Sequence, residues 1–306
     1  MKAIYISVNG GTGLHKSLTN VLKEAKQKYD KIAVLSSYWD IFECCEYCDI
    51  VYKDSEGMDF ILDAKYDNAE IITSRLYDLN DFIYKRLNYE DAWRQMLHLK
   101  PRENVGDVGE SIYKIDPTIR FPKIRNDVFN VISNLNSKKY KDFIIVQFHG
   151  GQSPLCDCKN EYNEETEPLQ RHYPSKLAQE FCNLFHEKYP ETAIINFTLP
   201  NEPHYENTET YDMPYLNYIT LAENNKCLGF VSIDSSLQHL ISGIKKGVVL
   251  WGHSLPNAFG YKCNKNIIQR CRRDNILYMN LLGPSSAKIE YISPQKLLEE
   301  VEKTLI

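Results

Sequence analysis

The sequence predicts an α/β fold of two Rossmann-like domains facing a cleft, each a parallel sheet with helices on both faces. Two observations predict it. Short apolar runs of strand length alternate with stretches whose apolar residues recur at helical spacing, the pattern of successive βα units. The alternation is broken at 101–124 by a passage rich in Pro, Gly and charge, and a length of 306 residues suits two domains. Parallel sheets of this kind bind ligands beyond the carboxyl ends of their strands, so the site is expected in the cleft between the halves.

Residues 3–8 read as the first strand and Gly10-Gly11-Thr12-Gly13 as a tight turn. Leu18, Val21, Leu22 and Ala25 then form the apolar stripe of a helix reaching Tyr29. Lys31–Ser36 follows as a second strand at βαβ distance, and Asp49–Tyr52 and Ala69–Thr73 as further strands. Residues 80–98 carry a Tyr- and Leu-rich helical pattern that ends before Pro101. The second series opens with the strand Phe143–Phe148 and continues with a helix at 175–188, the strand Ala193–Phe197 and a helix near 216–226. Next come the strand Cys227–Ile233, a helix from Ser235 and the strand Gly247–Trp251. Pro294 opens a last helix, Leu297–Leu305, at a first-turn position where Pro is tolerated. The domains are therefore set at 1–140 and 141–292, with 293–306 as a terminal helix.

Composition excludes several classes. Hydrophobic residues at 43% and charged residues at 25% are ordinary for a globular chain and rule out wholesale disorder. The 36 Lys+Arg against 41 Asp+Glu leave a formal charge of -5, which argues against a surface that coats nucleic acid. No apolar run approaches the roughly 18 residues of a membrane span. Met1-Lys2-Ala3 leads straight into a strand, without the apolar core of a secretory signal. Nine Cys, several of them at core-like positions, fit reduced thiols and a cytoplasmic location.

The most informative stretch runs from Phe230 to Gly243. A buried strand ends at Asp234, and Asp234, Ser235 and Ser236 open a helix, residue types that cap free backbone N–H groups. Asp234 would repel a phosphate, so its role is to orient the turn or to accept from a hydroxyl or amide. His239 shares a helix face with Ser235 four residues earlier. An ordinary N-cap followed by a core histidine explains the same residues.

Asp234-Ser235-Ser236-Leu237-Gln238-His239-Leu240, then Gly247–Gly252 and Pro256-Asn257-Ala258-Phe259-Gly260, resembles the C-terminal signature of the ADP-heptose:lipopolysaccharide heptosyltransferase family. Phe148-His149-Gly150-Gly151-Gln152 and Arg171-His172-Tyr173-Pro174 are similar to two further segments of that family, in the same order. The resemblance covers roughly 143–262 and implies the GT-B fold, an acceptor-binding N-terminal domain, a donor-binding C-terminal domain and a terminal helix that crosses back to the first. It implies that Gly151, Gln152 and Arg171 lie at the donor diphosphate, Arg171 supplying the cation. Asp234, Ser235, Ser236 and His239 would form the diphosphate and sugar-side loop, Glu202 would accept from ribose hydroxyls, and Tyr215 would meet the base. The activity implied is transfer of a sugar from a nucleotide-diphosphate-sugar co-substrate to a saccharide or glycolipid hydroxyl, inverting, with neither a metal nor a tightly bound cofactor.

The N-terminal loop departs from that pattern. The family reads Gly-(Leu/Ile)-Gly-Asp, the Asp serving as base, whereas here Gly10, Gly11, Thr12 and Gly13 lead to Leu14, His15 and Lys16. His15 is the candidate base, since its ordinary pKa near 6.5 suits proton abstraction; a first-turn helix residue is the alternative. The loop, Gly10 to Lys16, is expected on the acceptor side. Ser153–Gln170 is an insertion that either covers a substrate or is a solvated surface loop. Cys45-x-x-Cys48 and Cys156-x-Cys158 lack a His pair at finger spacing and read as structural thiols rather than zinc ligands. Lys262, Lys265, Arg270, Arg272 and Arg273 form a basic cluster that faces solvent, binds a phosphorylated acceptor or tracks a nucleic acid. A DNA-modifying sugar transferase, a non-catalytic nucleotide-sugar binding protein and a nucleotide-sugar epimerase stand as alternatives.

Overall fold

A computed structural model of the chain describes residues 2–73, 76, 79–84, 87–150, 172–198, 202–252, 254–269 and 290–306. It divides into two compact units, Met1–Phe121 with Asn257–Phe259, and Pro122–Pro256 with Gly260–Ile306.

In the first unit Ala3–Val8 (β1) pairs in parallel with Lys31–Ser36 (β2) on one side and Glu70–Ile72 (β4) on the other, and Ile50–Lys53 (β3) pairs with β2. The order is β3-β2-β1-β4. Thr12–Lys28 (α1) connects β1 to β2, with Leu14, Leu18, Val21, Leu22 and Ala25 buried as its apolar stripe. Trp39–Glu43 (α2) and Gly57–Tyr66 (α3) were not anticipated from sequence, because their apolar residues are few or point both ways. The helical pattern of 80–98 forms two short helices, Asn80–Tyr84 (α4) and Tyr89–Met96 (α5). Asn88 starts the second: its side chain accepts from Glu90 N while Asp91 accepts from Asn88 N. α5 packs beside α1, where Trp93 Nε1 donates to Ser17 Oγ at 2.9 Å.

Buried charge fastens the segment after α5. Arg102 donates to both Asp91 oxygens at 2.7 and 2.8 Å, and Glu90 accepts from the Glu110 and Ser111 amides and from Ser111 Oγ. Burial pushes the Glu90 carboxyl up, but those donors and the Arg102 charge outweigh it and hold its pKa below the usual range. Lys16 is buried without a carboxylate. Its ammonium donates to Tyr113 O at 2.6 Å, Thr19 Oγ1 at 3.2 Å and Asn20 Oδ1 at 3.4 Å, and burial pushes its pKa down to about 8.

The second unit is a five-stranded parallel sheet of Asp142–Gln147 (β5), Thr192–Asn196 (β6), Cys227–Ile233 (β7), Gly247–Trp251 (β8) and Lys265–Ile268 (β9), in the order β6-β5-β7-β8-β9. The polar edge strand β9 escaped the sequence reading, which saw there only a basic cluster. Lys123–Ser137 (α6) lies in this compact unit and packs on Asn217–Glu223 (α8). Ser175–Lys188 (α7) and Pro294–Leu305 (α11) pack together, and Phe181, Phe185, Leu297, Leu298 and Val301 share a core with Ile144, Val146, Val231 and Val248. Burying each such side chain is worth about 1.5–3 kcal/mol, which accounts for a helix held firmly by one apolar stripe. The terminal helix thus packs on the sheet of the second unit. Ser236–Ile241 (α9) follows β7, and Pro256–Phe259 (α10) follows β8.

Two outcomes follow. The folded chain holds the Lys16 proton less tightly than the unfolded chain, whose lysines titrate near 10.5, so unfolding takes up a proton between those values. Stability from this group is lowest below pH 8 and rises as pH increases through the window. Urea unfolding of wild type and Lys16→Met should show a stability difference that shifts in favour of wild type by about 2–3 kcal/mol between pH 7 and 10. A Cβ on Gly247 would lie 2.1 Å from the Phe230 ring, so Gly247→Ala should destabilise by at least about 1–3 kcal/mol in the same assay.

Candidate functional site

β5 and β7 are neighbours, with Gln147 opposite Ser232, so their carboxyl ends bring residues 148–150 and 234–236 to one edge of the second sheet. The approach is close: a Cβ on Gly150 would meet Cβ of Ser235 at 3.1 Å. Gln147, the last residue of β5, is buried, and its Oε1 accepts from Ser235 Oγ at 2.6 Å and from Leu237 N at 3.1 Å. The first turn of α9 is therefore capped from the adjoining strand, and the Ser235 hydroxyl donates to that cap.

Asp234 directly follows β7 and is buried. Its Oδ1 accepts from Gln238 Nε2 at 2.9 Å and its Oδ2 from Ser254 Oγ at 2.5 Å. These donors orient the carboxyl group from one residue on α9 and one after β8. His239, also buried, places Nδ1 2.9 Å from the Tyr261 hydroxyl, and the two rings meet edge to face. Ser236 is half-buried. The structure thus brings Asp234, Ser235, Ser236 and His239 together.

Gly151, Gln152 and Arg171 lie outside the described residues, as do the insertion Ser153–Gln170 with its Cys156 and Cys158, and Arg270, Arg272 and Arg273. His149, part of the Phe148–Gln152 motif but given no role of its own by the sequence, forms a further feature. Its Nε2 shares a short hydrogen bond with the Tyr205 hydroxyl and lies 3.4 Å from Ser175 Oγ. Its ring is parallel to that of His172, with centroids 6.2 Å apart. Polar residues at strand ends were the available signal, since Gln147 and His149 bracket Phe148 where the apolar run stops. Ser254 and Tyr261 carried no comparable signal. Glu202 is half-buried and accepts from Thr198 Oγ1 at 3.4 Å, and Tyr215 sits half-buried just before α8.

In the first unit the Gly10–Lys16 loop runs directly into α1, so Thr12 and Gly13 are already helical. Gly10 takes φ +137°, a conformation that favours glycine. Leu14 is buried, and His15 is fully buried with Tyr38 against its ring. His15 Nδ1 lies 3.0 Å from Gly11 O and Nε2 lies 3.0 Å from Val8 O. Burial pushes its pKa below 6.5, although the two carbonyls pull it upward. Both ring nitrogens are engaged by main chain, so the expectation of a catalytic base at His15 does not fit this geometry. Lys16 is likewise turned inward. Burial drives the Cys44 and Cys45 thiols up to about 12 and about 11, and Cys48 higher than its ordinary value, as suits unreactive thiols. No group of three or more His, Cys, Asp or Glu able to hold a metal occurs among the described residues. No helix among them is long and apolar enough to cross a membrane.

No family model matches the chain, and no curated protein matches it by sequence. Solved structures match its fold nearly end to end. A family 9 glycosyl transferase from Veillonella parvula superposes with a TM-score of 0.65 at 13% identity, covering 99% of this chain and 97% of that one. The E. coli ADP-heptose lipopolysaccharide heptosyltransferase II gives 0.65 at 12% identity, over 100% and 98% of the two chains. A second E. coli heptosyltransferase, solved with ADP-2-deoxy-2-fluoro heptose, gives 0.53 at 12% identity over 98% and 99%. The chain has the heptosyltransferase-like GT-B fold.

Gln147→Leu should uncap α9 and leave the Ser235 hydroxyl without its acceptor. We expect about 1–3 kcal/mol lost in urea unfolding, with amide exchange fastest at Leu237.

Proposed function

We propose that the chain is a glycosyltransferase that moves a sugar from a nucleotide-diphosphate-sugar donor to a hydroxyl of a saccharide or glycolipid acceptor. The observation that carries the reading is the juxtaposition of Gly150 with the Asp234–His239 segment at the carboxyl ends of two adjacent parallel strands. This is where an open parallel sheet offers a ligand its site. A chain similar to heptosyltransferases over nearly its whole length, and with their motif residues at that edge, fits a nucleotide-sugar ligand there.

In this reading the donor lies across the β5 and β7 ends. Arg171 neutralises the diphosphate, Gly151 and Gln152 lie beside it, and Ser236 and the start of α9 hold the sugar side. Asp234 acts through its hold on Gln238 and Ser254, fixing the loop rather than touching phosphate. Glu202 and Tyr215 receive the nucleoside. Departure of a nucleoside diphosphate needs its growing charge met by fixed donors, a task for Arg171 and main-chain amides without a metal. Transfer with inversion also needs a proton acceptor at the attacking hydroxyl, and the locked His15 is not assigned that part. The Gly10–Lys16 loop contributes shape on the acceptor side. Nothing in the folds it resembles favours DNA as acceptor.

Thermal unfolding with ADP, GDP, UDP, CMP and their common sugar conjugates tests the reading. One nucleotide family should stabilise the wild type, by about 2.7 kcal/mol at a hundredfold excess over Kd, and Arg171→Ala should lose the shift. Asp234→Asn should weaken it while keeping the fold. A panel with no stabilising nucleotide would overturn the proposal.

A further inference from the structure

We propose that the outward face of α3 is a docking surface for a basic amphipathic helix of a partner protein. The inner side of α3 is conventional: Phe60 and Ala64 pack into a small core with Tyr5, Ala33 and Tyr52. The outer side is not. Met58, Ile61, Leu62 and Tyr66 are 68%, 53%, 55% and 91% exposed, and Ile71 on the following strand is 42% exposed. Met58, Leu62 and Tyr66 are spaced by four, so they form one ridge along the helix, with Ile61 beside it. Single exposed apolar residues are ordinary on a protein surface; a ridge of large ones on one helix marks a contact site.

Charge beside the ridge selects the partner. Glu56, Asp59 and Asp63 recur at spacings of three and four along one flank, and on that spacing they share a side of the helix. Two of them are held in place: Glu56 accepts from Lys53 N at 2.7 Å, and Asp63 accepts from the Tyr52 hydroxyl at 2.6 Å. Asp59 is exposed. Lys65 lies across the ridge from this flank. A helix laid along α3 with its own apolar stripe on Met58, Leu62 and Tyr66 would set its flank beside three carboxylates. That flank is best filled by Lys or Arg, in the helix-in-groove mode of recognition. The same carboxylates disfavour an anionic lipid surface. In an antiparallel two-fold pair of α3 helices the acidic flanks would lie together, which disfavours a second copy.

The test uses the full chain and a fluorescent Leu/Lys amphipathic peptide, with a Leu/Glu peptide of matched length as control. The Leu/Lys peptide should bind, more weakly at higher salt, and the Leu/Glu peptide at least about tenfold less tightly. Leu62→Ser and Asp59→Lys should each weaken Leu/Lys binding by about tenfold, with thermal unfolding confirming that both variants fold. Equal affinity for the two peptides, or binding indifferent to both substitutions, overturns the proposal. So does self-association of the wild type in sedimentation that Leu62→Ser abolishes, which would give the face to a second copy. Flotation with anionic phosphatidylglycerol vesicles that depends on Leu62 would give it to a membrane and overturn it as well. None of these readouts uses nucleotide binding, so the glycosyltransferase reading and this one can fail separately.

Discussion

The second unit depends on a buried amide that must be satisfied. Gln147 closes β5 at the point where the sheet stops supplying partners, and a buried side-chain amide left unpaired there would cost on the order of 1–3 kcal/mol. Its Oε1 finds Ser235 Oγ and Leu237 N on the far side of the β5–β7 seam. One side chain therefore caps a helix, fixes a serine rotamer and ties two strand ends together. Gly150 lies close to Ser235 across the same seam, where an added Cβ would stand 3.1 Å from that of Ser235 and have to push it back by a few tenths of an ångström. Asp234 extends the arrangement to α9 and to the segment after β8 through Gln238 and Ser254. A loop positioned by so many internal bonds is preorganised.

The first unit solves its polar problem differently. Its interior holds charges that are matched in one place and unmatched in another. Arg102 with Asp91 and Glu90 is a bidentate, fully hydrogen-bonded cluster that pins 102–111 against α5. Lys16 has three neutral oxygens and no carboxylate, and one of them is the carbonyl of Tyr113. Tyr113 N in turn donates to Asn20 Oδ1, so α1 grips the same segment at a second point. The connection rich in Pro and Gly is thereby ordered from both ends, by side chains projecting from two helices that pack on each other.

Most of the architecture was legible because its signals are local and periodic. The strands β1, β2, β5, β7 and β8 are short, dense apolar runs, and the stripe on α1 repeats at three and four. Elements that escaped lacked such contrast. α3 places apolar residues on both faces, so its periodicity cancels, and β9 is a four-residue edge strand of Lys, Asn and Ile. The site was legible in part. Asp234 to His239 announces itself as small polar residues after a buried strand, but the partners Gln147, Ser254 and Tyr261 come from other elements, and no local pattern reveals a contact between residues 88 positions apart, as Gln147 and Ser235 are.

His15 shows why a suitable side chain at a suitable place is weak evidence for catalysis. A histidine just after a glycine turn, at the carboxyl end of a first strand, has the right ordinary pKa for a base. The same position also sets the ring between two main-chain carbonyls, that of Val8 and that of Gly11, the latter already accepting from the Leu14 and His15 amides. The imidazole lies 3.0 Å from each and, when neutral, donates to one of them, while its burial lowers its basicity. Leu14 and Lys16 on either side are also turned inward, so three successive residues serve the packing of α1. The heptosyltransferase pattern offers a carboxylate where this chain has Leu14. Here the turn keeps its glycine backbone geometry while position 14 carries a core leucine. The segment Asp234–His239 keeps the heptosyltransferase-like pattern that the Gly10–Lys16 turn abandons, and it does so with side chains tied to neighbouring elements rather than packed into one helix.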